Sequence, residues 1–142
     1  MPAVSNTTPI VYLAKVARLS LLKEVYSIIY LCTPVLQDIE HLARRGLLEH
    51  EAVRMIEQGR RDGWLIQRDP ETPKAAELRE VILEKGFGLG EAQSIALAKE
   101  LNVLFLANDK VAIDVARQYN VKTRWFTEIL YDALHARRIR NV

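Results

Sequence analysis

Five short runs of β-branched, aromatic and small apolar residues, each followed by a longer stretch with apolar side chains at helical spacing, constrain this chain more than any other feature. The runs cover 3–5, 28–32, 64–68, 103–107 and 122–125, the last being the weakest signal. Strands separated by helix-length segments cannot close tight hairpins; they pair in parallel through crossovers. The alternation therefore predicts an α/β fold of three layers, α/β/α, around a central parallel sheet of four to five strands.

Between the strands, residues 9–26 carry Ile10, Leu13, Ala14, Ala17, Leu21 and Leu22 at helical spacing, with a break expected near Ser20. Thr8 reads as the N-cap, with Pro9 at the first helical position. Further helices are expected after Pro34, over 47–60 up to the Asp62-Gly63 turn, and over 74–85 up to Gly86. Residues 91–101, 110–119 and 127–137 complete the series. No internal repeat, low-complexity tract or linker interrupts the pattern, so 1–142 is expected to be one domain.

Composition excludes several classes. A net charge of +2 is too small to imply a nucleic-acid partner by itself. Cys32 is the single cysteine and ends an apolar run, so a buried, inert thiol and a reducing compartment are expected. No window approaches the roughly 18 uninterrupted apolar residues of a membrane span. With no basic stretch leading into an apolar segment at the N-terminus, the expected location is cytoplasmic, with no membrane partner.

In an open parallel sheet, ligands gather beyond the carboxyl ends of the strands. Polar residues just past the expected strands are Asn6, after the first, and Asp109, after the fourth. Glu40 lies on the helix opened by Pro34, and Glu91 begins its own helix. A helix and a returning strand separate Glu91 from Asp109, which brings both to the same edge. Hard oxygen donors of this kind suit Mg²⁺ or Mn²⁺ better than zinc. His41, His50 and His135 are scattered without metal-binding spacing. Acidic residues after strands also serve as helix caps, so spacing alone leaves structural and metal-binding roles both open.

Residues 4–15, VSNTTPIVYLAK, resemble the opening strand, acidic position, Ser/Thr pair and first helix of the PIN-domain nucleases, a family that includes VapC-like toxins. Thr33-Pro34 leading to Glu40 is similar to the family's proline and following glutamate. Residues 90–98, GEAQSIALA, look like the GEAxAIALA helix of an archaeal and bacterial PIN subgroup, and 104–110, LFLANDK, like its fourth strand and terminal acidic residues. The order and placement of these pieces at strand ends carry the resemblance.

The resemblance implies a divalent-metal-dependent endoribonuclease using Mg²⁺ or Mn²⁺, with Asn6, Glu40, Glu91 and Asp109 as catalytic and metal-binding residues. Thr8 and Asn108 would orient substrate, and Lys15, Arg44, Arg45 and Lys110 would meet the nucleic-acid backbone. RNA, or single-stranded DNA, is the implied substrate; a second copy of the chain and a small antitoxin are the implied protein partners. Two departures stand out. Asn6 replaces the usual aspartate, and Asn108 replaces a common acidic residue, which removes negative charge while keeping carbonyl donors. The alternative is a catalytically weakened PIN domain that binds nucleic acid or protein.

Overall fold

The structure, a computed structural model, describes residues 1–140. In chain order its elements are β1 (Ala3–Ser5), α1 (Thr7–Lys15), α2 (Ser20–Tyr26), β2 (Ile29–Leu31), α3 (Thr33–Arg44), α4 (His50–Arg61) and β3 (Leu65–Gln67). The chain continues with α5 (Pro73–Glu84), α6 (Leu89–Leu101), β4 (Leu104–Ala107), α7 (Lys110–Gln118), β5 (Thr123–Trp125) and α8 (Phe126–Arg140). The strands form one sheet in the order β3-β2-β1-β4-β5, and every neighbouring pair is parallel. The expected α/β class and three-layer arrangement are therefore found, including the fifth strand.

Side-chain alternation divides the core between the two faces of the sheet. Ala3, Ile29, Leu31, Leu65 and Leu106 point to one face, where they meet Ile10 and Leu13 of α1, Leu22 of α2, Ile56 of α4 and Ile129 of α8. Val4, Phe105 and Ala107 point to the other, against Ile82 of α5, Ile95 of α6 and Ile113 of α7. Both faces are dry, which is why the β4 sequence reads as a continuous apolar run rather than an alternating one.

Local chemistry sets the element ends. Helix α1 begins at Thr7 with Asn6 as its N-cap, so Thr8 is not the cap it was expected to be; it lies in the first turn. Pro9 is tolerated there because first-turn N–H groups have no intrahelical partner. The break expected near Ser20 falls just before it, where Ala17 adopts a left-handed φ of 56°. Gly86, at φ 94°, stops α5, a conformation that a Cβ makes costly.

The topology places the site. The chain steps from β1 outward to β2 and β3, then resumes on the opposite flank with β4 and β5. The order reverses between β1 and β4, and the crevice beyond that point is where open parallel sheets take ligands. Asn6 extends the junction past the strand, its backbone N–H donating to the carbonyl of Leu106 at 2.9 Å.

Candidate active site at the carboxyl edge of the sheet

A cleft of about 400 Å³ opens at this reversal. Asn6, Thr7 and Thr8 at the β1–α1 junction form one wall, Pro34, Gln37 and Asp38 of α3 a second, and residues 88–91 at the start of α6 a third. Helices α3 and α6 cross closely here because residue 90 is glycine. A Cβ at Gly90 would stand 3.3 Å from Oδ2 of Asp38 and 3.5 Å from Cγ2 of Val35.

Glu91 is the most constrained acid. Its Oε2 is buried with no hydrogen-bond partner. Burial pushes its carboxyl above the usual glutamate range, the charge of Asp109 adds to this, the backbone N–H of Gly88 opposes it, and Asp38 raises it again. The Gly88 interaction is half of a capping box, with the third residue of α6 reaching back to the N-cap. One carboxylate oxygen thus serves the helix end while the other is left with unspent acceptor capacity beside two more negative groups.

Asp109 does not line the cleft; it caps α7, where Oδ1 accepts the N–H of Val111 at 2.9 Å, and its charge still reaches Glu91. Asn108 is half-buried at the end of β4. Thr8 lines the cleft, and the hydroxyl of neighbouring Thr7 donates to Oδ2 of Asp38 at 3.4 Å.

Glu40 is not at this site. Two residues along a helix amount to about 200°, so Glu40 and Asp38 emerge from opposite sides of α3. Glu40 pairs with Arg44 at 2.6 Å on an exposed surface, where both line the groove between α3 and α4. The acid that α3 presents to the cleft is Asp38, one turn beyond Pro34. That spacing of four was the available signal, because Pro34 itself lies in the first turn of α3 and lines the cleft.

The expected basic residues separate in the same way. Lys110 opens α7 directly after Asp109 and shares the edge. Lys15 closes α1, about 13 Å along the helix from Asn6, and Arg44 and Arg45 end α3, about 10 Å beyond Asp38. These three have crossed away from the carboxyl edge. Arg68, just past β3, remains on it and stacks over the Tyr30 ring at 5.3 Å.

Among the described residues, no group of three or more His, Cys, Asp or Glu side chains is gathered tightly enough to hold an ion unaided. The convergence expected for Asn6, Glu40, Glu91 and Asp109 is thus not met as a closed cage. The donors do fit a hydrated hard cation, which keeps several waters and takes one or two carboxylates together with a phosphate. The orphaned Oε2 of Glu91 is the observation that favours this fit. Among the described residues, no helix is long and apolar enough to cross a membrane.

The family model DUF3368, a PIN domain, matches residues 2–142. Among solved structures, a PilT N-terminus domain protein from the hyperthermophilic archaeon Sulfolobus solfataricus P2 is similar at 19% identity, with 94% of each chain covered and a TM-score of 0.58. VapBC2 from Rickettsia felis, bound to a DNA fragment from its promoter, is similar at 18% identity, covering 87% of this chain and 98% of that one, with a TM-score of 0.58. At such identities these two likenesses concern the fold. No curated protein matches the chain.

Proposed function

The chain belongs to the PIN-domain family, a family of nucleases, and from that premise we propose that it is a divalent-metal-dependent endoribonuclease acting as the toxin of a toxin–antitoxin pair. The observation that carries the reading is the buried, unpartnered Oε2 of Glu91, facing the charges of Asp109 and Asp38 at the β1–β4 crevice. Asp38, Glu91, Asp109 and the amide oxygen of Asn6 would hold Mg²⁺ or Mn²⁺. Such an ion would supply Lewis-acid polarisation of the phosphate and would lower the pKa of the attacking water. Thr7, Thr8 and Asn108 orient substrate oxygens by hydrogen bonding. Helices α1 and α6 both begin at the cleft, and their positive ends attract the phosphate that the carboxylates would otherwise repel. Lys110 and Arg68 are the cations placed to meet the strand backbone.

The named toxin–antitoxin complex among the structural neighbours supports a small antitoxin as partner. The exposed Leu130, Tyr131 and Leu134 of α8 support pairing with a second copy. Incubation of the purified protein with single-stranded RNA or DNA in Mg²⁺, Mn²⁺ or EDTA tests the activity. Cutting of RNA with metal, and none in EDTA or with Glu91→Gln, is the expected result. Cleavage that persists in EDTA, or in the Glu91→Gln variant, overturns the reading.

A second reading is favoured by one observation: the first acidic position is Asn6, and the remaining acids do not close around an ion. In that reading the cleft binds nucleic acid or protein without cutting. Cleavage gained by Asn6→Asp in an otherwise inert protein is its signature.

A further inference from the structure

Asp69 lies two residues past β3, outside the cleft, and its carboxylate is fully engaged by donors from two other elements. Oδ1 accepts the backbone N–H of Thr33 at 2.8 Å and Nε2 of Gln93 at 2.7 Å. Oδ2 accepts the Thr33 hydroxyl at 2.5 Å, and that hydroxyl in turn accepts from Nε2 of Gln67 at 2.8 Å. Burial alone would push this carboxyl up, but the Thr33 hydroxyl and N–H and the Gln93 amide outweigh it and hold Asp69 below the usual aspartate range.

Two of the three elements so joined, α3 and α6, present the cleft acids Asp38 and Glu91. Thr33 opens α3, five residues before Asp38, and Gln93 follows Glu91 by two on α6. The N-cap of α3 is Cys32, whose side chain makes no capping bond, so Asp69 supplies from the segment after β3 the cap that α3 lacks. A carboxylate suits the place because every incoming group is a donor; an asparagine would turn an N–H toward one of them.

We propose that Asp69 is a positioning residue that ties the first turn of α3 to the start of the second turn of α6 and thereby sets the separation of Asp38 and Glu91 across the cleft. The functional side of this inference rests on the cleft being the metal site. The structural side does not.

Glu100 offers a matched comparison, because its Oε1 accepts the N–H groups of Glu71 and Thr72 at 2.8 Å each and so anchors the N-cap of α5 from the far end of α6. Two measurements on the full chain separate the roles: hydrogen exchange at Leu36 and Ala92, whose N–H groups close the first turns of α3 and α6, and calorimetric titration with Mn²⁺ alone. Asp69→Ala should speed exchange at both amides together and weaken Mn²⁺ binding about tenfold, as loss of an orienting partner does. Glu100→Ala should speed exchange at Ala76 and leave Leu36, Ala92 and Mn²⁺ affinity within about twofold of the parent.

Gln93→Leu removes only the α6 arm and should disturb Ala92 more than Leu36; with Asp69→Asn it carries the test if Asp69→Ala does not fold. Exchange in Asp69→Ala unchanged, or changed at Leu36 alone, overturns the proposal. So does parental Mn²⁺ affinity in a variant with faster exchange, which reduces Asp69 to a helix cap. A parent protein that binds no Mn²⁺ sinks the metal reading instead, and the exchange pattern then decides the clamp by itself.

Discussion

Replacing Glu91 by glutamine should make the metal-free protein more stable. An unsatisfied buried acceptor costs about 1–3 kcal/mol, and the low end applies because the rest of the Glu91 side chain reaches water. Repulsion from Asp109 and Asp38 across a solvated cleft adds about 0.5 kcal/mol. Against this, α6 loses a favourable charge in its first turn, about 0.5 kcal/mol. The glutamine oxygen still accepts from Gly88, while its amide donates to the neighbouring carboxylates. The balance is a gain of about 1 kcal/mol, or roughly 3 °C in melting temperature for a chain of this size. Thermal unfolding followed by circular dichroism in EDTA reads it directly. Excess Mn²⁺ at a hundred times its dissociation constant should add about 2.7 kcal/mol to the parent alone and reverse the order. A Glu91→Gln variant that melts below the parent in EDTA would refute the view that this carboxylate is held under strain for a cation.

Three further outcomes are expected. Asp38→Ala should abolish cleavage, whereas Glu40→Ala should leave it within about twofold and change stability by less than about 0.5 kcal/mol, since it breaks only a solvated ion pair. Gly90→Ala should reduce the cleavage rate by about tenfold or more while the melting temperature stays within a few degrees, because the new Cβ presses on Asp38 as the helix gains propensity. The Glu71 and Thr72 N–H groups hold the Glu100 carboxyl below its ordinary value against the opposing effect of burial. Its contribution is therefore present above about pH 4.5 and lost as pH falls below it, so Glu100→Gln should flatten the acid limb of a stability–pH curve measured by urea unfolding.

The elements were legible because each rests on local periodicity, and Gly86 and Asp62-Gly63 marked helix ends through backbone conformation alone. Strand order was not, since nothing local distinguishes a central β1 from an edge strand. The acids split along the same line. Asn6 and Asp109 follow strands directly, so their place at the edge depends on chain direction and could be read. The choice between Asp38 and Glu40 depends on the rotational phase of α3 about its own axis, which the apolar pair Val35 and Ile39 leaves open because the two acids flank Ile39 symmetrically. Asp69 carried no signal: its partners lie 36 and 24 residues away in sequence, and only the folded sheet brings them together.

The position of β1 also governs when the cleft comes into being. This strand is synthesised ahead of the other four, yet its β4 neighbour, in register from Ala3 with Leu104 to Ser5 with Leu106, follows about a hundred residues later. Until then one border of β1 stays unpaired and Asn6 has no Leu106 carbonyl to anchor it. A truncated or nascent polypeptide ending before β4 consequently lacks a finished crevice, so the wall that Asn6 forms takes its place only after the helices α3 and α6 that face it have been made.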